Sequence, residues 1–295
     1  MKKIGKKALF LILLLPLACV SVNADSSAGV VKADSYIDWE GGDFVLETSF
    51  SFNDKTPLSP ELRLRALNSI RRELPSLFLQ QVSGLVLDSR TLVGDVIESS
   101  PQLGRRMMEL ADHGRPVRAN FAEDFSRFTQ VFRYRIFPEM AESFITHRTA
   151  AAQIAELKYV PTGSYSGIVI FVEEELPLYG THRTAALEPA LFPQIYDADM
   201  NLVFDKYMVD PERILEWGPV RYFQPDEMDR IHSRVGELPL YIYASSLFGT
   251  HPADLIISNR SAGRIRASDH MLSLLKEGKI AIIYTHTSEA SKGDR

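Results

Sequence analysis

The chain has 295 residues, with 33 basic against 38 acidic side chains and a single cysteine. That length is enough to bury one hydrophobic core or two. The acidic balance leaves no electrostatic footprint for nucleic acid, and one cysteine cannot build a disulfide framework.

The N-terminus reads as an export signal. Lys2, Lys3, Lys6 and Lys7 form a basic region, followed by an apolar run from Ala8 to about Val20 that is short for a bilayer span. Val22-Asn23-Ala24 has small residues at the −3 and −1 positions, which places cleavage between Ala24 and Asp25 and defines residues 1–24 as a signal peptide. An uncleaved anchor helix is the alternative. Cys19 lies where a bacterial lipoprotein carries its acyl chains, but Pro16 and Leu17 fit a lipobox poorly, so Cys19 is a candidate for lipidation beside soluble release. Cleavage removes four lysines, no acid and the only cysteine, leaving a thiol-free mature chain of net charge −9. With no polybasic segment, the membrane is a partner only if Cys19 is lipidated. The expected location is the periplasm, with an outer-membrane lipoprotein as the variant.

Residues 25–34 are small and polar and read as a flexible lead. Tyr36–Glu40 and Phe44–Phe52 read as strands around a Gly41-Gly42-Asp43 turn. Ser59-Pro60-Glu61 is a helix start, with Leu62, Leu64, Leu67, Ile70 and Leu74 as its apolar stripe. Pro75 is expected to interrupt that helix, and Leu77–Val82 to form a second piece. A short strand at Leu85–Asp88, helices near Leu92–Glu98 and Gln102–Ala111, a strand at Phe128–Phe137 carrying alternating arginines, and a helix opened by Pro138 complete a half spanning 25–150. A change of character over 148–165 marks the junction.

The second half, 160–285, opens with the apolar run Gly167–Val172, a strand buried on both faces. Gln194–Tyr196 and Asn201–Phe204 form a hairpin, Asp210-Pro211-Glu212 starts a short helix, and Leu238–Tyr243 is a strand. Ala253–Ile257, a helix at Ser268–Lys276 and Lys279–Tyr284 read as strand, helix, strand, a parallel crossover if the strands share a sheet. Residues 286–295 form a polar tail, expected to be flexible. The fold class is α+β, with mixed sheets, packed helices and this C-terminal unit.

The chemical motifs are weak. Gly41-Gly42-Asp43-Phe44 resembles a cyclic-dinucleotide synthase signature but lacks its glutamate, so a turn is the better reading. Asp197-Ala198-Asp199-Met200-Asn201 has the opening spacing of a calcium loop, but Leu202 stands where Gly is needed and Met208 where a bidentate Glu is needed. No two of the seven histidines have zinc-protease spacing, and Gly163–Gly167 has Tyr165 where a nucleophile elbow needs Ser. Thr146–Ala151 recurs as Thr181–Ala186, which reads as coincidence or as paired His/Arg sites on one ligand face. No catalytic residue, cofactor site or metal site is therefore assigned.

The order of Gly167-Ile168-Val169-Ile170, Pro189–Asp197, Trp217-Gly218-Pro219-Val220-Arg221-Tyr222, Arg234–Leu240 and Asp254–Ser258 leading into Ser261-Ala262 is similar to a group of bacterial envelope proteins. These are flagellar-associated outer-membrane lipoproteins and assembly factors of the FlgP and FlgT type, and the resemblance covers roughly 160–285. It implies a non-enzymatic scaffold or assembly component with envelope or flagellar partners, and self-assembly. The alternative is a periplasmic hydrolase or small-ligand binder in which Glu123, Asp124, His182 and Asp197 converge.

Overall fold

A computed structural model describes residues 29–52, 60–156 and 163–285. The expected signal peptide, Cys19, the Ala24/Asp25 cleavage point, Ser59 and the polar tail lie outside the described residues. The fold is α+β with mixed sheets, as the sequence predicts.

In the first half, β1 (Val30–Asp38) and β2 (Asp43–Ser51) form a hairpin around Gly41-Gly42. Val30–Asp34 thus belong to a strand, not to the expected lead. In β1 only every second residue turns inward, and the inward Ala33 and Ser35 are small, which hides the pattern. Next come α1 (Pro60–Ser83), the hairpin β3 (Val86–Asp88) and β4 (Thr91–Leu92), α2 (Val93–Ser99) and α3 (Pro101–Leu110). β5 (Arg115–Phe121) and β6 (Arg127–Arg135) then complete an antiparallel sheet of order β1-β2-β6-β5.

Helix α1 runs unbroken through Pro75. Its core face is Ala66, Ile70, Leu74, Phe78 and Val82, one residue per turn. Packing of Leu74 and Phe78 on either side of Pro75 offsets the one backbone hydrogen bond the proline forfeits. The anticipated stripe is thus only partly right: Ile70 and Leu74 are buried, whereas Leu64 is exposed. The helix expected after Pro138 is a 3₁₀ turn over Ala141–Phe144.

The second half holds β7 (Ile168–Val172), the small hairpin β8 (Leu176–Pro177) and β9 (Thr184–Ala185), β10 (Ile195–Asp197) and β11 (Leu202–Phe204). After α4 (Pro211–Trp217) follow β12 (Arg221–Phe223), α5 (Met228–Val235), β13 (Leu240–Phe248), β14 (Asp254–Ile257), α6 (Asn259–Ile265), α7 (Asp269–Lys276) and β15 (Ile280–Tyr284). They build a seven-stranded sheet of order β11-β10-β14-β13-β7-β15-β12. Strands β13, β7, β15 and β12 are mutually parallel, whereas β14 is antiparallel to β13. β14 and β15 therefore share a sheet but run in opposite directions, with β13 and β7 between them. The predicted parallel crossover is corrected: strand, helix, strand spacing does not fix which strands become neighbours.

One apolar core runs from Phe44, Phe78 and Tyr134 through Phe192 and Tyr222 to Ile282. The β3–β4 hairpin joins the halves directly. Val86 and Leu87 carbonyls accept from the Leu191 and Phe192 amides at 3.0 and 2.9 Å, and the Ser89 carbonyl accepts from the His251 amide at 3.0 Å.

Candidate functional site: a cleft between the two halves

A cavity of about 620 Å³ opens between the end of β1, the α1–β3 turn, the 186–189 segment and the carboxyl ends of β12 and β15. Ligands of sheets with parallel strands collect beyond those ends, where the chain turns away and backbone groups are left over. Here the parallel β12–β15 pair meets the other half of the molecule.

One wall is aromatic. The Trp39 ring lies 4.9 Å from Tyr222, and Tyr222 lies edge-on to Tyr284 at 5.9 Å. Tyr36 stands at the rim, 58 % exposed. Tyr222 is anchored, its hydroxyl donating to the Ala190 carbonyl at 3.1 Å and accepting from the Ala190 amide at 3.2 Å. Burial pushes the Tyr222 phenol far above its ordinary range, and burial together with Glu227 pushes Tyr284 up to about 12. Both rings are neutral platforms at physiological pH.

The remaining lining is polar and negative. Asp38, Glu40, Glu188 and Glu227 contribute carboxylates, Gln81 and Gln224 contribute amides, and no Lys or Arg lines the cavity among the described residues. Behind the wall, Arg230 pairs with Glu40 and with Glu227 at 3.1 Å, and Arg221 donates to the Glu40 carbonyl. His251 meets Glu188 at 3.2 Å. The β1–β2 turn is further held by Arg135, which donates to the Gly41 carbonyl at 3.2 Å. Gly42 has φ +72°, a conformation suited to glycine, with the Arg221 guanidinium close by. The Gly-Gly-Asp motif is a clamped hairpin turn, and the Asp43 carboxylate takes Arg133 and Arg135 at 3.5 and 3.4 Å.

The four residues proposed for a convergent hydrolase site do not converge. Glu123 and Asp124 sit in the β5–β6 turn, His182 in the β8–β9 turn and Asp197 at the end of β10; none lines the cleft. Hydrogen bonds from Ser126 hold the Asp124 carboxyl below its usual range. Asp197 is the anchor of its hairpin, accepting from the Asn201 amide at 2.8 Å, the Asp199 amide at 3.1 Å and Arg266 at 3.2 Å. Burial pushes its carboxyl up, but these donors outweigh burial and hold it low. That is turn chemistry. No cluster of three metal-ligating side chains occurs among the described residues.

The repeated hexapeptide adopts two unrelated settings. His147 packs on Tyr207 with Nε2 2.9 Å from the Val209 carbonyl, whereas His182 stands exposed in the β8–β9 turn.

Sequence reasoning missed the cleft altogether. Its residues come from 35–40, 81–86, 186–189, 222–227 and 284–285, and no local pattern links them. The nearest signal was Trp39 beside the Gly41-Gly42 turn.

Fold and cleft together define an α+β protein in two halves, joined through a continuous core around an aromatic, carboxylate-rimmed groove. Residues 30–143 match the family model described as Treponema pallidum Tp0624, N-terminal domain, and residues 167–286 match Treponema pallidum Tp0624, second domain. The chain is therefore similar, half by half and in the same order, to two domains of that protein. Neither match is to the flagellar-associated group. No curated protein matches the chain.

Proposed function

We propose that this is an exported, non-enzymatic envelope protein that holds a neutral or cationic ligand in the cleft between its halves. The observation that carries the reading is the Trp39–Tyr222–Tyr284 wall facing carboxylates and amides in a cavity of about 620 Å³ with no Lys or Arg lining it among the described residues. Aromatic faces attract cations and stack on apolar ring faces, and carboxylates orient donors. The same lining offers an anion no Lys or Arg among the described residues. Among the described residues that line the cleft no nucleophile is paired with a base, and aromatic faces, carboxylates and amides are groups suited to binding.

Titration of the Trp217→Phe protein, in which Trp39 is the sole tryptophan, tests the reading. Spermidine, choline, cellobiose and citrate serve as probes. A saturable change in Trp39 emission with a cationic or neutral probe, abolished by Tyr284→Ala, is expected. A response to citrate alone, or to none of the four, contradicts it. Export rests on the N-terminal pattern, and mass spectrometry of the mature N-terminus decides between a free Asp25 and an acylated Cys19.

A scaffold role is the second reading. It draws support from the resemblance to envelope assembly factors and from two oppositely charged surfaces outside the cleft lining.

A further inference from the structure

The outer face of the first sheet carries an arginine field that strand alternation conceals. β5 and β6 pair with Arg115 opposite Arg133 and Arg118 opposite Val131, and the register slips between Pro116 and Arg118. This bulge puts Arg115 and Arg118 on one face although they lie three apart in sequence. The inward residues of β6 are Phe128, Phe132 and Tyr134, so Arg127, Arg133 and Arg135 share the outer face. Five arginines thus occupy two adjacent strands, and like charges placed directly opposite, as in Arg115 and Arg133, cost stability without a counter-charge.

The acids nearby do not neutralise the field. Asp43 is shared by Arg133 and Arg135, and Glu47 stands 4.0 Å from Arg118, which is 64 % exposed. Asp34 and Asp38 lie on the far strand, β1. Asp124 in the β5–β6 turn is engaged by Ser126 and attracts Arg127, Glu123 is exposed beside it, and Glu139 takes the Arg135 amide, which leaves Arg115 and Arg118 as the open end of the field. Arg115 makes no ion pair among the described residues. β5 is an edge strand, but Pro116 and the bulge spoil it for strand addition, so its side chains rather than its backbone are on offer.

The second half presents the complement. α5 covers Val169, Ala281 and Ile283 but leaves the β13 strip open. There Phe171 is stacked against Tyr241 at 5.9 Å and Tyr243 at 5.2 Å, with both tyrosines well exposed. β7 runs directly from Phe171 and Val172 into Glu173-Glu174-Glu175, all exposed. Glu175 accepts from Thr184, while Glu173 and Glu174 make no ion pair among the described residues.

We infer that these surfaces dock on one another between copies of this chain: the β5–β6 arginine face of one copy seats on the Phe171/Tyr241/Tyr243–Glu173/Glu174 patch of the next. Guanidinium groups pair with carboxylates and stack on aromatic faces, so one arginine field satisfies both components of the patch. The two patches differ, so the contact is heterologous and propagates head to tail into a ring or a filament.

Light scattering on the processed chain over a concentration series, at low and at high salt, tests the inference. The wild type is expected to associate with concentration, its association constant falling about tenfold or more at high salt. Arg115→Glu/Arg118→Glu and Glu173→Arg/Glu174→Arg are each expected to be monomeric with unchanged circular dichroism. An equimolar mixture of the two variants combines one unaltered contact with one whose charges are both reversed, and is expected to associate where neither variant alone does. A wild type monomeric throughout the series overturns the inference, as does association unaffected by either variant. Arginine-dependent binding to anionic vesicles by a monomeric protein assigns the face to a membrane instead and overturns it equally.

Discussion

Trp39, at the end of β1, and Tyr222, in β12, meet with ring centroids 4.9 Å apart at 60°, and this contact ties the first sheet to the second. The residue after Trp39, Glu40, is gripped by Arg221 and Arg230 from the opposite half. Apolar stacking and charge therefore act at one point, and that point is the cleft wall.

Replacing Trp39 removes the ring contact and opens the cleft on one side. Trp39→Ala is expected to lower stability by about 2 kcal/mol, less than a fully buried aromatic because the ring is half-exposed. Urea denaturation followed by circular dichroism checks this, and a change below about 0.5 kcal/mol would remove Trp39 from the junction.

Asp254 is buried, and its Oδ2 has no hydrogen-bond partner. Burial pushes its carboxyl up to about 6, against weaker opposition from Ser89 and the Gln194 amide. An acid whose folded value is raised contributes stability that is full below its unfolded value, near 4, and is lost as pH rises through the folded value. The wild type should therefore lose stability between pH 4 and pH 7 on account of this group. Asp254→Asn should escape that loss, gaining on the wild type by about 2 kcal/mol at pH 8 and not at pH 4. Thermal melts at both pH values read the difference; equal shifts at both would show that the carboxyl does not titrate as stated.

Arg234 is buried, and among the described residues no carboxylate forms an ion pair with it. It donates to the Trp217 and Gly218 carbonyls, both at 2.8 Å, and lies 4.4 Å from the Trp217 ring. Burial pulls its guanidinium down to about 9, which still leaves it charged at neutral pH. Arg234→Ala strands two carbonyls and opens a gap, for an expected loss of about 3 kcal/mol in chemical denaturation.

Calcium should do nothing. Asp197 is occupied by Asn201, Asp199 and Arg266, and a cation would have to displace the arginine. The melting temperature is expected to be unchanged by calcium or by a chelator, and a calcium-dependent rise would reinstate a metal loop at 197–201.

Much of the fold was legible where apolar runs are long or strictly alternating. β2, β6, β7 and β15 fall within a few residues of expectation because their side chains alone carry a buried face. β5 was not legible, since Arg-Pro-Val-Arg-Ala-Asn-Phe contains a bulge and is almost wholly exposed. Pro75 argued for a break that tertiary packing overrides. Strand partners in the second sheet depend on where α5, α6 and α7 dock, which local sequence does not encode. The strand expected at Phe128–Phe137 is interior, between β2 and β5, and so has no edge to offer a partner. The cleft was illegible for the same reason as the sheet order: it exists only once distant segments meet.

The central claim is that the two halves share one core and so hold the cleft as a fixed site. Trp39 lies in the first half and Trp217 in the second, so Trp217→Phe and Trp39→Phe give one reporter for each. Urea unfolding of the two single-tryptophan proteins, monitored by fluorescence, should give coincident midpoints and slopes that also match circular dichroism. Two separated transitions, with the Trp39 reporter released before or after the Trp217 reporter, would contradict it.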